Sequence, residues 1–301
     1  MDPHLLRTFV AVAEHRSFSA AASALGYTQS AVSQQIAALE AELGVALLRR
    51  RPVEPTQAGE RLLEHAGPLL LRLAAARADV TRAAAAPAAR LTVAATALGA
   101  ASAGLPAALM RLRAARPRAE VEVRLAGAPE VARLVAAGEA ELGLADGLAA
   151  PTDPLPVAAA TAGHLTARGV AHRDLAVALP REHPLAGAAG LALGDLVDAL
   201  WIDAPALGAP LTRLREVAGA DGFRPGLAYT GSDVATLAAL VAAGHGLTLL
   251  PATAGTPWPY GPGTTGVRLT APRLVHRVEL LHATLPPGPA ADLAAALAPA
   301  G

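Results

Sequence analysis

Residues 17–43 read SFSAAASALGYTQSAVSQQIAALEAEL, and few folds accommodate them. The second half carries one apolar stripe, Val32, Ile36, Leu39 and Leu43, at spacings of four, three and four. That is one face of an α-helix. The opposite face opens with short hydrogen-bonding side chains: Gln29, Ser30, Ser33 and Gln34. Thr28 stands where an N-cap belongs. A helix buried on one side and short and polar at its N-terminal end is shaped to enter a DNA major groove.

The preceding residues supply its partner. Ser17 predicts a cap for a first helix whose buried side is Phe18, Ala21, Ala22 and Leu25. Gly26 and Tyr27 make the turn, with Gly26 expected at positive φ. Residues 5–15 add a helix with Leu6, Phe9, Val10 and Ala13 inward, completing a small helix-turn-helix core. After the second helix come Arg49, Arg50 and Arg51, followed by Pro52-Val53-Glu54-Pro55. Arginines bounded by prolines cannot be helical core. They suit a wing, a short hairpin or loop that reaches phosphates or a narrow minor groove.

On these residues the chain resembles the LysR-type transcriptional regulators. The match runs through LRTFVAVAE at 6–14, SFSAAA at 17–22, QSAVSQQI at 29–36, Leu39-Glu40, LGVALL at 43–48 and PTQAG at 55–59. The resemblance implies a winged helix-turn-helix over 1–60. It carries DNA contacts over to Thr28, Gln29, Ser30, Ser33 and Gln34 on the recognition helix, and to Arg49, Arg50 and Arg51.

Composition limits the remainder. The chain has 301 residues, 53% of them hydrophobic, and a formal net charge of +0, so DNA affinity must come from a local patch. All 25 basic residues are arginine, and cysteine is absent, which removes disulfide and thiol chemistry. The nine histidines lack ligand spacing, so no metal and no cofactor are expected. Nothing resembles a signal peptide or a spanning helix, which predicts a cytoplasmic protein with no membrane partner.

Residues 57–86 hold Leu62, Ala66, Leu69, Leu73, Ala76, Val80 and Ala83 at alternating spacings of four and three. This heptad seam predicts a linker helix that pairs with another helix. Pro68 lies beside the seam and should bend the helix. In the resembled family this helix makes the homodimer, and tetramers are implied as well.

From Leu91 short apolar strands alternate with helical patterns, at 91–95, 121–125, 142–145, 175–179, 200–203, 227–230, 247–250 and 275–282. The alternation predicts an α/β unit with mainly parallel strands. Leu105-Pro106, the ELGL of 141–144, HPLA at 183–186 and GHGL at 244–247 extend the resemblance to the family's effector domain. That domain is a two-lobed fold like the type II periplasmic binding proteins. It is expected over 90–301, with lobe one at 90–161 and 267–301 and lobe two at 162–266. The crossings are expected near 162–170 and 252–265, the second being rich in proline and glycine. Such folds bind ligands at strand C-terminal ends. The effector candidates there are Thr96, Ala126, Gly127, Ala204, Ser232 and Asp233. Helix capping explains Thr96, Ser232 and Asp233 equally well.

Enzyme readings fail. The glycines of 99–104 precede Leu105-Pro106 with no phosphate-loop lysine, no G-x-G-x-x-G follows a strand, and no spacing marks a triad. A solute receptor would explain 90–301 but not the first 60 residues. The sequence therefore reads as a regulator with double-stranded DNA, a small effector and a second copy of itself as partners, and RNA polymerase if it activates.

Overall fold

A computed structural model describes residues 1–84, 90–156, 165–207, 210–252 and 256–297. Two compact units emerge: Met1–Ala83, and a larger one from Ala84 to the end of the described chain.

The first unit begins with α1 (Pro3–His15), α2 (Phe18–Leu25) and α3 (Gln29–Leu43). Their starts are fixed by side-chain oxygens of Asp2, Ser17 and Thr28, which accept from His4, Ala20 and Ala31 N–H groups. Gly26 ends α2 at φ 70, a left-handed turn that costs a Cβ-bearing residue about 1–2 kcal/mol. Phe9, Val12, Ala21, Ala22, Val32, Ile36 and Leu39 close the core. The arginine run forms the expected wing: β1 (Leu48–Arg50) pairs antiparallel with β2 (Val53–Pro55). Then α4 (Gln57–Ala84) runs as one helix through Pro68. Its first turn is tied to the wing, because Thr56 Oγ1 donates to Ala46 O at 2.7 Å and accepts from Gly59 N at 3.1 Å. A Cβ on Gly59 would sit 2.1 Å from Leu47 O, so the helix can pass this close only over glycine.

The second unit is built on one large sheet. Its strands are β3 (Arg90–Ala95), β4 (Glu120–Leu125), β5 (Leu142–Ala149), β6 (Thr166–Pro180) and β7 (Leu191–Ala192), then β10 (Thr248–Ala252), β11 (Thr264–Ala271) and β12 (Val275–His282). They run in the order β4-β3-β5-β12-β6-β11-β7, with β10 also on β6. A separate parallel pair joins β8 (Leu200–Asp203) to β9 (Arg224–Ala228). The β3–β4 and β3–β5 pairs are parallel, whereas every pairing of β6 and β12 is antiparallel. The expectation of mainly parallel strands thus holds only for part of the sheet.

The helices are α5 (Ala97–Ser102), α6 (Leu105–Ala115), α7 (Ala128–Ala136), α8 (Leu211–Ala218), α9 (Val234–Ala242) and α10 (Pro289–Ala296). Two main cores result. One joins Leu91, Val93, Leu142, Leu144, Val170, Val278, Leu280 and Leu293; the other joins Leu175, Val177, Leu179, Trp201, Phe223, Leu249, Val267 and Leu269. Strand β6 passes from one to the other: Thr166–Asp174 pairs with β12, and the residues beyond pair with β10 and β11.

Apart from Leu148 on β5, which packs in the second core, membership changes between Val170 and Leu175, and again between Leu269 and Val278. Strand β11 begins inside the glycine- and proline-rich run. Residues 162–164 of the first expected crossing and 253–255 of the second lie outside the described residues.

Candidate DNA-binding surface and effector pocket

In the first unit the candidate recognition surface is the N-terminal half of α3. Thr28, Gln29, Ser30 and Gln34 are exposed, and Thr28 and Ser30 hydroxyls lie 3.0 Å apart. Ser33 is partly buried, because Arg50 Nη1 donates to its Oγ at 3.3 Å. The Arg49 and Arg51 side chains are exposed, and neither makes an ion pair or hydrogen bond among the described residues. Between Met1 and Glu60 there are five arginines (7, 16, 49, 50, 51) and six carboxylates (2, 14, 40, 42, 54, 60), a formal charge of −1. This segment is not a basic domain. Its attraction for phosphate is concentrated in the wing, where three of those five arginines stand.

Residues Leu62 and Leu63 at the start of α4 pack on the core of this unit. Farther along, Leu69 is 46% and Val80 70% exposed, so the apolar seam continues without cover.

In the second unit a cavity of about 670 Å³ opens between α5, α9 and residues 259–264. Its walls are small and apolar: Ala97, Leu98 and Ala101 on α5, and Ala235, Ala238 and Ala239 on α9. Ser102 and Thr264 bring hydroxyls to it. Tyr260 stands on its rim and donates to Pro251 O at 3.0 Å; burial, then the nearby Asp146 charge, push its phenol up to about 12.

None of the six effector candidates lines this cavity, yet two of them cap the helices that do. Thr96 starts α5: its hydroxyl accepts from Gly99 N at 3.1 Å and donates to Leu144 O at 3.4 Å, and the residue is only 1% exposed. Asp233 starts α9, accepting from Thr236 N at 2.7 Å and from Thr236 Oγ1 at 2.6 Å. Those bonds, the hydroxyl's first, hold its carboxyl below the usual range. Ser232 beside it is partly buried. Gly127 lies against Ala206, and Ala126 N donates to Ala95 O at 3.0 Å. Ala204 is fully buried in a cluster with Leu98, Leu207 and Leu237.

The sequence reading missed a buried polar chain beneath α5. His276 Nε2 lies 2.5 Å from Asp146 Oδ2, and His276 Nδ1 lies 3.5 Å from Ser102 Oγ. The only signal was a lone aspartate in the apolar strand LGLADGLA and a histidine in the mixed strand VHRVELLH. Burying such groups is costly unless they pair, and they cluster at functional sites.

A capped helix with an exposed polar face beside a basic wing, joined to a receptor-like α/β unit, defines the class: a ligand-responsive DNA-binding regulator. Comparison with known proteins agrees. Residues 3–60 match the bacterial regulatory helix-turn-helix protein family of the LysR type, and residues 84–297 match the LysR substrate binding domain. The chain belongs to the LysR family of DNA-binding transcriptional regulators. It is 33% identical over 255 residues to the HTH-type transcriptional regulator BudR of Raoultella terrigena, covering 83% of this chain and 84% of that one. A probable hydrogen peroxide-inducible genes activator of Mycobacterium avium is 36% identical over 259 residues, 83% and 77% of the two chains. Among solved structures, CbnR, a LysR family transcriptional regulator, superposes with a TM-score of 0.53 at 25% identity, covering 99% of this chain and 98% of that one. Among the described residues no helix is long and apolar enough to cross a membrane.

Proposed function

We propose that the protein reads an operator in the cytoplasm as a homodimer, with α3 in the major groove and the wing on the backbone. Gln29, Ser30, Ser33 and Gln34 face base edges, Thr28 supports them from the cap, and Arg49 and Arg51 meet phosphates. The observation that carries this reading is the exposed, capped polar start of α3 beside a wing holding three of the five arginines between Met1 and Glu60. The uncovered seam of α4, with Leu69 and Val80 exposed, supports pairing of two copies through residues 57–86. Val121, Val123 and Leu125 on the edge strand β4 are exposed as well, which supports a further contact between copies and so a tetramer.

The second unit would act as the receptor, with lobes at about 90–161 plus 267–301 and at 162–266. A small effector would occupy the region between α5 and α9. The caps of those helices, Thr96 and Ser232-Asp233, would orient it, with Ala126, Gly127 and Ala204 at the neighbouring strand ends. Binding one lobe arrangement better than another would shift the paired DNA-binding units, by no more than the difference in affinity. Contact with RNA polymerase would follow if targets are activated. DNase footprinting beside the gene's own promoter tests the reading: two protected half-sites about one helical turn or a multiple apart are expected. A protein that protects no sequence in preference to random DNA would refute it.

A further inference from the structure

The three wing arginines are not equivalent. Strand residues alternate faces, so neighbours in β1 point opposite ways. Arg49 turns outward, and Arg50 turns back toward the helices. Its guanidinium carbon lies 4.9 Å from the centre of the Phe18 ring on α2. Its Nη1 donates to Ser33 Oγ on α3 at 3.3 Å, and its Nη2 lies 3.8 Å from Glu40 Oε2. The other oxygen of Glu40 already holds the wing, accepting from Leu47 N at 2.8 Å and Leu48 N at 3.1 Å. One planar fork therefore ties together the wing, the recognition helix and the helix before it. Arginine can stack and hydrogen-bond at once in this way; lysine, a point charge on a flexible stem, cannot.

From this geometry we infer that Arg50 is a positioning residue: a strut that sets the angle of the wing against α3, while Arg49 and Arg51 neutralise phosphate. The inference rests on the proposed DNA reading. The two jobs differ in their dependence on salt. A phosphate contact releases counterions and contributes about 0.9 to the slope of log affinity against log salt; a strut contributes none.

The test uses full-length protein and a duplex enriched by the unaltered protein from a randomised pool, with a scrambled duplex as control. Arg50→Ala is expected to weaken binding to the enriched duplex about five-fold, with the salt slope unchanged. Arg49→Ala and Arg51→Ala should each lower the slope by about 0.9 and weaken both duplexes alike. Arg50→Lys should behave as Arg50→Ala. Phe18→Leu, which keeps the apolar packing, should be non-additive with Arg50→Ala. A slope that falls by about 0.9 in Arg50→Ala and is restored in Arg50→Lys would make Arg50 a phosphate contact and overturn the strut. Full additivity with Phe18→Leu would overturn it too. If the unaltered protein enriches no sequence, the DNA reading itself fails, which is a separate outcome.

Discussion

The proposed DNA-reading surface and the proposed effector pocket are built in opposite ways. The first comes from one stretch of chain between Ser17 and Pro55, and its working side chains are exposed apart from the partly buried Ser33. The second draws α5, α9 and residues 259–264 together across more than half of the second unit, and the predicted side chains near it are already used by the fold. Thr96 and Asp233 satisfy helix starts before they could touch a ligand. A surface made of spare polar groups can be rewritten without unfolding the protein. A pocket made of structural groups couples ligand affinity to stability.

That contrast can be broken by substitution. The largest effect is expected from neither surface but from the seam that doubles the first. Leu69→Glu should yield monomers in sedimentation and lower operator affinity on the order of 100-fold, because paired half-sites act through effective concentration. A variant that stays dimeric at low micromolar concentration would move the dimer contact elsewhere. Next, Ala239→Trp would fill the α5–α9 cavity from an exposed position. Effector response in a reporter strain should fall ten-fold or more, roughly 1.4 kcal/mol, with operator affinity unaltered. An intact response would take the effector out of this cavity.

Smaller still is Thr96→Val. The shape survives, but the hydroxyl that accepts from Gly99 N is lost. The expected cost is about 1 kcal/mol of stability, read as a fall in melting temperature of roughly 2–4 °C. Any weaker effector response should follow that loss. A weaker response with no change in melting temperature would give Thr96 a direct ligand contact and narrow the contrast.

How much of this was legible in the sequence follows the same division. The caps Ser17 and Thr28, the turn at Gly26 and the stripe of α3 are local, so period and residue type sufficed to read them. Thr96 and Asp233 were legible as helix starts for the same reason. Long-range features were not. The strand expected at 227–230 lies at Arg224–Ala228, where pairing with β8 fixes the register. Strand β11 hides behind glycines and prolines, and shows only once β6 and β7 pair with it. The strand expected at 142–145 runs on to Ala149 and carries Asp146 inside, which is affordable only because His276 arrives from a strand 130 residues away. In Arg49-Arg50-Arg51 the three side chains are alike in sequence. Only the pleat of the hairpin separates the one that faces α3.

The central claim is that the exposed start of α3 reads bases. Its most direct test is selection of a randomised duplex pool by the full-length protein and by Gln34→Ala, followed by sequencing. The unaltered protein should enrich paired half-sites. Gln34→Ala should enrich the same motif with preference relaxed at one position per half-site, a loss of roughly 1–3 kcal/mol of discrimination there. An identical motif from both proteins, with every position equally sharp, would contradict the claim.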